Sequence, residues 1–110
     1  MDITEHEENG VIVFLLEGRI DSTGAIELDD KLQAAVAGGN YNLVLDMSQV
    51  QYINSAALRT LADIITQTRA KDGDLKLAAL TPKVKRVFQI VGFNRFSAIY
   101  DKVAEAISDF

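Results

Sequence analysis

The chain has 110 residues, 48% of them hydrophobic and 25% charged, with no cysteine and a formal net charge of −5 at pH 7. That length suffices for one domain with its own core, and the missing cysteine excludes disulfides and thiolate chemistry and fits a reducing compartment. The acidic balance disfavours nucleic acid, which would find only a short basic turn at Lys83, Lys85 and Arg86.

No apolar run approaches the roughly 20 residues that span a bilayer. The opening MDITEHEENG is acidic and polar, unlike a secretory signal or a transit peptide. A cytoplasmic protein without direct membrane insertion is the expectation.

Asp2 to Glu8 alternates weakly and reads as an edge strand, followed by Asn9-Gly10, the residues of a tight hairpin because both tolerate positive φ. Val11 to Leu16 is a continuous apolar run, the pattern of a strand covered on both faces, with Gly18 at its end. Arg19 to Gly24 is a connector of helix-capping types, and Ile26, Leu28, Leu32, Ala35 and Val36 then mark the inner face of a helix that Gly38-Gly39 stops. Leu43 to Asp46 is the second core strand. Met47 to Asn54 reads as a loop with several apolar side chains and no period, anchored by Ile53.

Leu58, Leu61, Ala62 and Ile65 begin a long helix that runs to Lys71 or Asp72 and stops at Gly73. Leu75 to Leu80 is the third core strand. Thr81-Pro82 reads as an N-cap followed by proline at the first helical position, with Val84, Val87, Phe88 and Val91 as the inner stripe and Gly92 as the stop. Phe96 to Tyr100 is a short strand, and Val103, Ala106, Ile107 and Phe110 form a terminal amphipathic helix. The order β-β-α-β-α-β-α-β-α predicts a single α/β domain over residues 1–110, with a mostly parallel mixed sheet, an N-terminal hairpin strand and four helices.

Few side chains are available for catalysis. His6, the only histidine, lies on the presumed edge strand with no base-and-nucleophile arrangement around it. Metal-ligand spacings and phosphate-cradling glycine loops are absent, and Asp29 and Asp30 diverge on their helix, so no cofactor, no metal and no enzymatic activity are expected. Attention falls on Asn54-Ser55, delivered to the start of the long helix. A hydroxyl there serves as a cap, a nucleophile or a phosphate acceptor. The lack of a base removes the nucleophile, leaving cap and acceptor open.

The stretch Tyr52-Ile53-Asn54-Ser55-Ala56-Ala57-Leu58-Arg59 resembles the D-S-[SA]-G-L-G signature of the STAS family, the bacterial anti-sigma-factor antagonists. Gly18-Arg19-Ile20-Asp21 is similar to the family's G-x-[IL]-D, and Thr81 to Phe88 to its S-P-x-V-x-R-[LI]-[FL]. The resemblance covers essentially the whole chain. It implies that Ser55 is phosphorylated by a partner anti-sigma factor that is also a serine kinase. The unmodified form would bind that partner and free the sigma factor, and a PP2C-type phosphatase would reverse the modification.

The expected contact surface comprises Asp21, Ser22, Thr23, Tyr52, Asn54, Ser55, Ala56, Ala57 and Arg59, because loops at the C-terminal ends of neighbouring parallel strands lie side by side. Asp21 equally suits a capping role. Asn54, Ala57 and Arg59 depart from the signature's aspartate and glycines. Arg59, at i+4 from Ser55, suits either a phosphate on Ser55 or Asp63. A rival function within the same family is a small non-catalytic subunit of a lipid-trafficking ABC transporter, which needs no phosphate acceptor; another is a scaffold or sensor in a stress-signalling assembly.

Overall fold

A computed structural model describes all residues from Met1 to Phe110. Strands β1 (Asp2–Glu8), β2 (Val11–Ile20), β3 (Asn42–Ile53), β4 (Asp74–Ala78) and β5 (Ala98–Tyr100) alternate with helices α1 (Ser22–Ala37), α2 (Ser55–Arg69), α3 (Pro82–Val91) and α4 (Val103–Ser108). A 3-10 turn, Phe93–Arg95, follows α3. The sheet order is β1-β2-β3-β4-β5, antiparallel between β1 and β2 and parallel elsewhere. Asn9 and Gly10 adopt φ of 53° and 78°, the left-handed pair that a two-residue hairpin needs.

The strand side chains alternate between two layers. Phe14, Leu16, Leu43, Leu45, Leu75 and Leu77 face α1, α2 and α3 and belong to a core of 19 buried residues. Val11, Val13, Val44 and Ala78 face the other way, where Ala106 and Ile107 of α4 cover them. The expected inner positions hold with three exceptions, one of them Phe110, which lies past the end of α4 and is 41% exposed. Ile26 is 66% exposed and Val91 57% exposed. Ala25, Leu28 and Leu32, at i, i+3 and i+7, are the residues α1 buries.

The expected loop from Met47 onward is strand. β3 runs twelve residues to Ile53, and β2 continues through Gly18 to Ile20 beside it. Two register shifts, between Leu15 and Glu17 and between Gly18 and Arg19, interrupt the ladder, and Gly18 takes φ 120°. The bulges rotate the strand so that Met47, Val50 and Ile53 all turn inward at a spacing of three. That spacing is neither a strand's period nor a helix's, so the residue pattern alone suggests a loop.

β4 pairs with β3 only as far as Asp46 and Ala78. Beyond that point the Thr81 hydroxyl donates to the Val50 carbonyl at 2.7 Å. Thr81 sits at the N-cap position with Pro82 at the first turn, as expected, but its hydroxyl serves β3 and makes no cap hydrogen bond. The helix α2 ends at Arg69, and Gly73 lies where an added Cβ would stand 2.0 Å from the Tyr41 carbonyl, an approach only glycine permits.

Candidate functional site

The two long central strands end together. Ile20 and Ile53 are register partners, and the Asn54 amide donates to the Ile20 carbonyl at 3.0 Å. Each chain then turns into a helix with a capping side chain. Asp21 Oδ1 accepts from the Gly24 amide at 2.9 Å, and Asn54 Oδ1 accepts from the Ala57 amide at 3.0 Å. The Asn54 side-chain amide donates to Ser22 Oγ at 3.5 Å, joining the two helix starts. Asp21, Ser22, Thr23, Asn54, Ser55 and Ala56 therefore lie together at one end of the sheet, past the C-terminal ends of β2 and β3.

Ser55 occupies the first residue of α2. It is exposed, and Asn54 holds the cap position, so the Ser55 hydroxyl has no hydrogen-bond partner within the protein. Its backbone neighbours supply the unpaired first-turn N–H groups and the positive end of the helix dipole. Of the two jobs left open for this hydroxyl, capping is already filled.

Tyr52, 40% exposed, stands beside Arg19, whose guanidinium lies 4.2 Å from the ring centroid. Ala56 is exposed, and so is Arg59. Ala57 is a correction: it is fully buried against the main core, so its methyl packs inward and offers nothing to a partner. Arg59 does not pair with Asp63. Asp63 Oδ2 accepts from Gln33 and Gln67, both at 3.0 Å, and leaves Arg59 without an ionic partner.

A cleft between α1 and α2 opens beside Ser55, lined by Ser22, Ala25, Ile26, Asp29, Ala56 and Thr60. Its continuation passes Arg59 and Asp63. Two site features differ from the sequence expectation: Ile26, expected on the inner face of α1, is exposed beside the cleft, and Arg19, expected only in a connector, stacks on Tyr52. Ile26 was findable, since it falls off the Ala25, Leu28, Leu32 face. Arg19 was not, because its contact with Tyr52 depends on the second register shift. His6 lies on the edge strand opposite Val13, away from the ends of β2 and β3. No three of the His, Asp and Glu side chains converge as a metal site, and no helix is long and apolar enough to cross a membrane.

The hairpin-edged, mostly parallel sheet with two capped helix starts at one end is the arrangement expected from the STAS resemblance. Residues 2–106 match the STAS domain family, and the chain belongs to it. It is 37% identical over 93 residues to BtrV of Bordetella bronchiseptica, described as an anti-sigma factor antagonist, covering 84% of this chain and 80% of that one. The crystal structure of the Thermotoga maritima protein TM1081, also described as an anti-sigma factor antagonist, superposes with a TM-score of 0.91 at 20% identity, covering 97% of this chain and 92% of that one. The Bacillus protein SpoIIAA in its phosphorylated form superposes with a TM-score of 0.75 at 17% identity, covering 98% of both chains. The last two likenesses are of fold.

Proposed function

We propose that this chain is an anti-sigma-factor antagonist that binds its anti-sigma factor when Ser55 is unmodified and releases it when Ser55 is phosphorylated. The observation that carries the reading is the free hydroxyl at the first residue of α2, with Asn54 acting as the cap in its place. The similarity to BtrV supports the antagonist role, and a fold shared with SpoIIAA, known in a phosphorylated form, supports the switch.

In the reaction, the partner kinase transfers the terminal phosphoryl group of ATP to Ser55 Oγ, the hydroxyl proton is lost and ADP leaves. A PP2C-type phosphatase returns the hydroxyl by hydrolysis, releasing inorganic phosphate. The phosphate adds about −1.5 to −2 charges at pH 7. Within this protein the first-turn N–H groups and the helix dipole favour that anion by roughly 0.3–1 kcal/mol. In a partner interface the same anion is desolvated. A loss of about 3 kcal/mol there lowers affinity roughly a hundredfold, so the switch works without refolding the domain.

The partner surface comprises Asp21, Ser22, Thr23, Tyr52, Asn54, Ser55, Ala56 and Arg59, with the α1–α2 cleft and Ile26 beside them. The domain acts as one unit over residues 1–110 in the cytoplasm. It is an interaction module that alters transcription without touching DNA.

The test is capture of partners on the unmodified protein, with mass spectrometry of the partners and of Ser55. A kinase-type ATPase as partner, phosphate on Ser55, retained binding by Ser55→Ala and roughly hundredfold weaker binding by Ser55→Asp are the expected results. Equal affinities for the two variants, or capture of a transporter ATPase instead, overturn the reading.

A further inference from the structure

From Leu75 to Tyr100 the chain carries Lys76, Lys83, Lys85, Arg86 and Arg95 and no Asp or Glu, in a molecule of net charge −5. Lys76 is buried beneath α4, whereas the other four are exposed and none of them is in an ion pair. The same segment carries three exposed apolar side chains: Ile90 at 74% exposure, Val91 at 57% and Phe96 at 41%. The fold accounts for this placement. α3 turns Val84 and Phe88 inward, which sets Lys83, Arg86 and Ile90, at i, i+3 and i+7, along its outer face. Gly92, left-handed at φ 76°, ends the helix. Val91 thus lies past the core, and the 3-10 turn brings Arg95 and Phe96 up after it.

We infer that this face of α3 and the 3-10 turn docks on an anionic lipid surface. Long Lys and Arg stems let the charged heads reach phosphate headgroups while Ile90 and Val91 enter the boundary with the acyl chains. A nucleic acid fits less well. Ile90 and Val91 have no counterpart on a phosphate backbone, and Phe96 is no stacking platform: it packs edge-on against Phe93, centroids 5.7 Å apart, with the Arg69 guanidinium 5.2 Å from its centroid. A folded acidic protein fits less well too. The three clefts of the molecule are lined by residues of the N-terminus, β1, α1 and α2 and none by α3, so this face offers no groove to a partner. A fluid bilayer conforms to such a face.

The 3-10 turn lies at the far end of α2 from Ser55. Phe96 lies against Arg69, the last residue of α2, and Ser55 is the first, about 20 Å away along the helix.

The test is co-sedimentation of the full chain, at low and at physiological salt, with vesicles of phosphatidylcholine alone and of phosphatidylcholine mixed with phosphatidylglycerol. The expected result is salt-sensitive binding to the mixed vesicles only. Lys83→Glu with Arg86→Glu weakens it at least about tenfold, Ile90→Ser weakens it at both salt concentrations, and Ser55→Ala binds as the unaltered chain does. Thermal melts establish that each variant is folded, and all the substituted residues are at the surface. Three outcomes overturn the inference: no binding to the mixed vesicles, equal binding to both kinds, or undiminished binding by the folded charge-reversal variant. A gel shift with duplex DNA, or binding to polyglutamate, without binding to the mixed vesicles also overturns it.

Discussion

Asn54 accepts the amide hydrogen of Ala57 at 3.0 Å, one residue ahead of Ser55, and thereby separates the capping of α2 from the exposed hydroxyl beside it. The separation has a chemical consequence. A serine that capped its own helix would give up that hydrogen bond on phosphorylation. Here the modification leaves the cap in place, so it acts on the surface and leaves the fold alone.

The division of labour is open to measurement. Asn54→Ala removes the acceptor for the Ala57 N–H and is expected to cost about 1 kcal/mol, a fall in Tm of about 4 °C in a domain of this size. Asn54→Asp keeps an acceptor of the same shape and is expected to melt within about 0.5 kcal/mol of the unaltered chain. Ser55→Ala is expected to leave the melt unchanged, because the Ser55 hydroxyl bonds to nothing in the protein. A Ser55→Ala melt lowered as far as that of Asn54→Ala contradicts the assignment.

Arg59 bears on how the phosphorylated form is held. It stands at i+4 from Ser55 and has no ionic partner, since Asp63 is engaged by Gln33 and Gln67. Paired with a phosphate on Ser55, it favours the dianion over the monoanion and lowers the second phosphate pKa. Arg59→Ala is expected to raise that pKa by about 0.2–0.4 unit in a phosphorus NMR titration of the modified protein. The unmodified protein is expected to keep its melting temperature in the same variant. An unchanged phosphate titration shows that Arg59 remains solvated.

Much of this architecture was legible in the residue pattern, because hairpin, capping and stop signals are local. Asn9-Gly10, Pro82 and Gly92 act through backbone torsions that their own chemistry sets. What escaped was non-local. The second half of β3 and the end of β2 are strands because they pair with each other across two bulges, and that pairing destroys the periodicity by which either would be read. The depth of Ala57 escaped for a related reason. A small side chain gives no hydrophobic signal of its own, and only the closeness of α2 to the sheet makes it core. At the site, the position of Ser55 at a helix start was legible, whereas the stacking of Arg19 on Tyr52 depended on the bulged register.

The same bulged segment makes a further demand. Where β3 outruns β4, the Val50 carbonyl takes its hydrogen bond from the Thr81 hydroxyl at 2.7 Å, and Val50 and Thr81 are both buried. Thr81→Val preserves shape and leaves that carbonyl unsatisfied, at an expected cost of about 1–3 kcal/mol. Thr81→Ser keeps the donor and is expected to lose less than half as much. Urea unfolding of the two variants decides the matter, and equal losses in both assign the effect to packing of the threonine methyl.

The far face of the sheet supplies a pH-dependent test. The Tyr100 hydroxyl donates to Asp109 just beyond α4, and this bond, aided by partial burial and by the negative charges of Asp109 and Asp74, pushes the phenol up to about 12. The folded value lies above the ordinary value near 10, so the folded state holds the proton more tightly than the unfolded chain. The stabilisation is fully present below pH 10 and is lost as the pH rises through about 12. Solvent screens this partly exposed pair, and a contribution of about 0.5–1 kcal/mol is expected. Tyr100→Phe is therefore expected to unfold at lower urea than the unaltered chain at pH 8, with the gap closing between pH 10 and 12. The ultraviolet titration of the variant is expected to lack the step near pH 12. A gap that persists unchanged to pH 12 assigns the effect of the hydroxyl to something other than its proton.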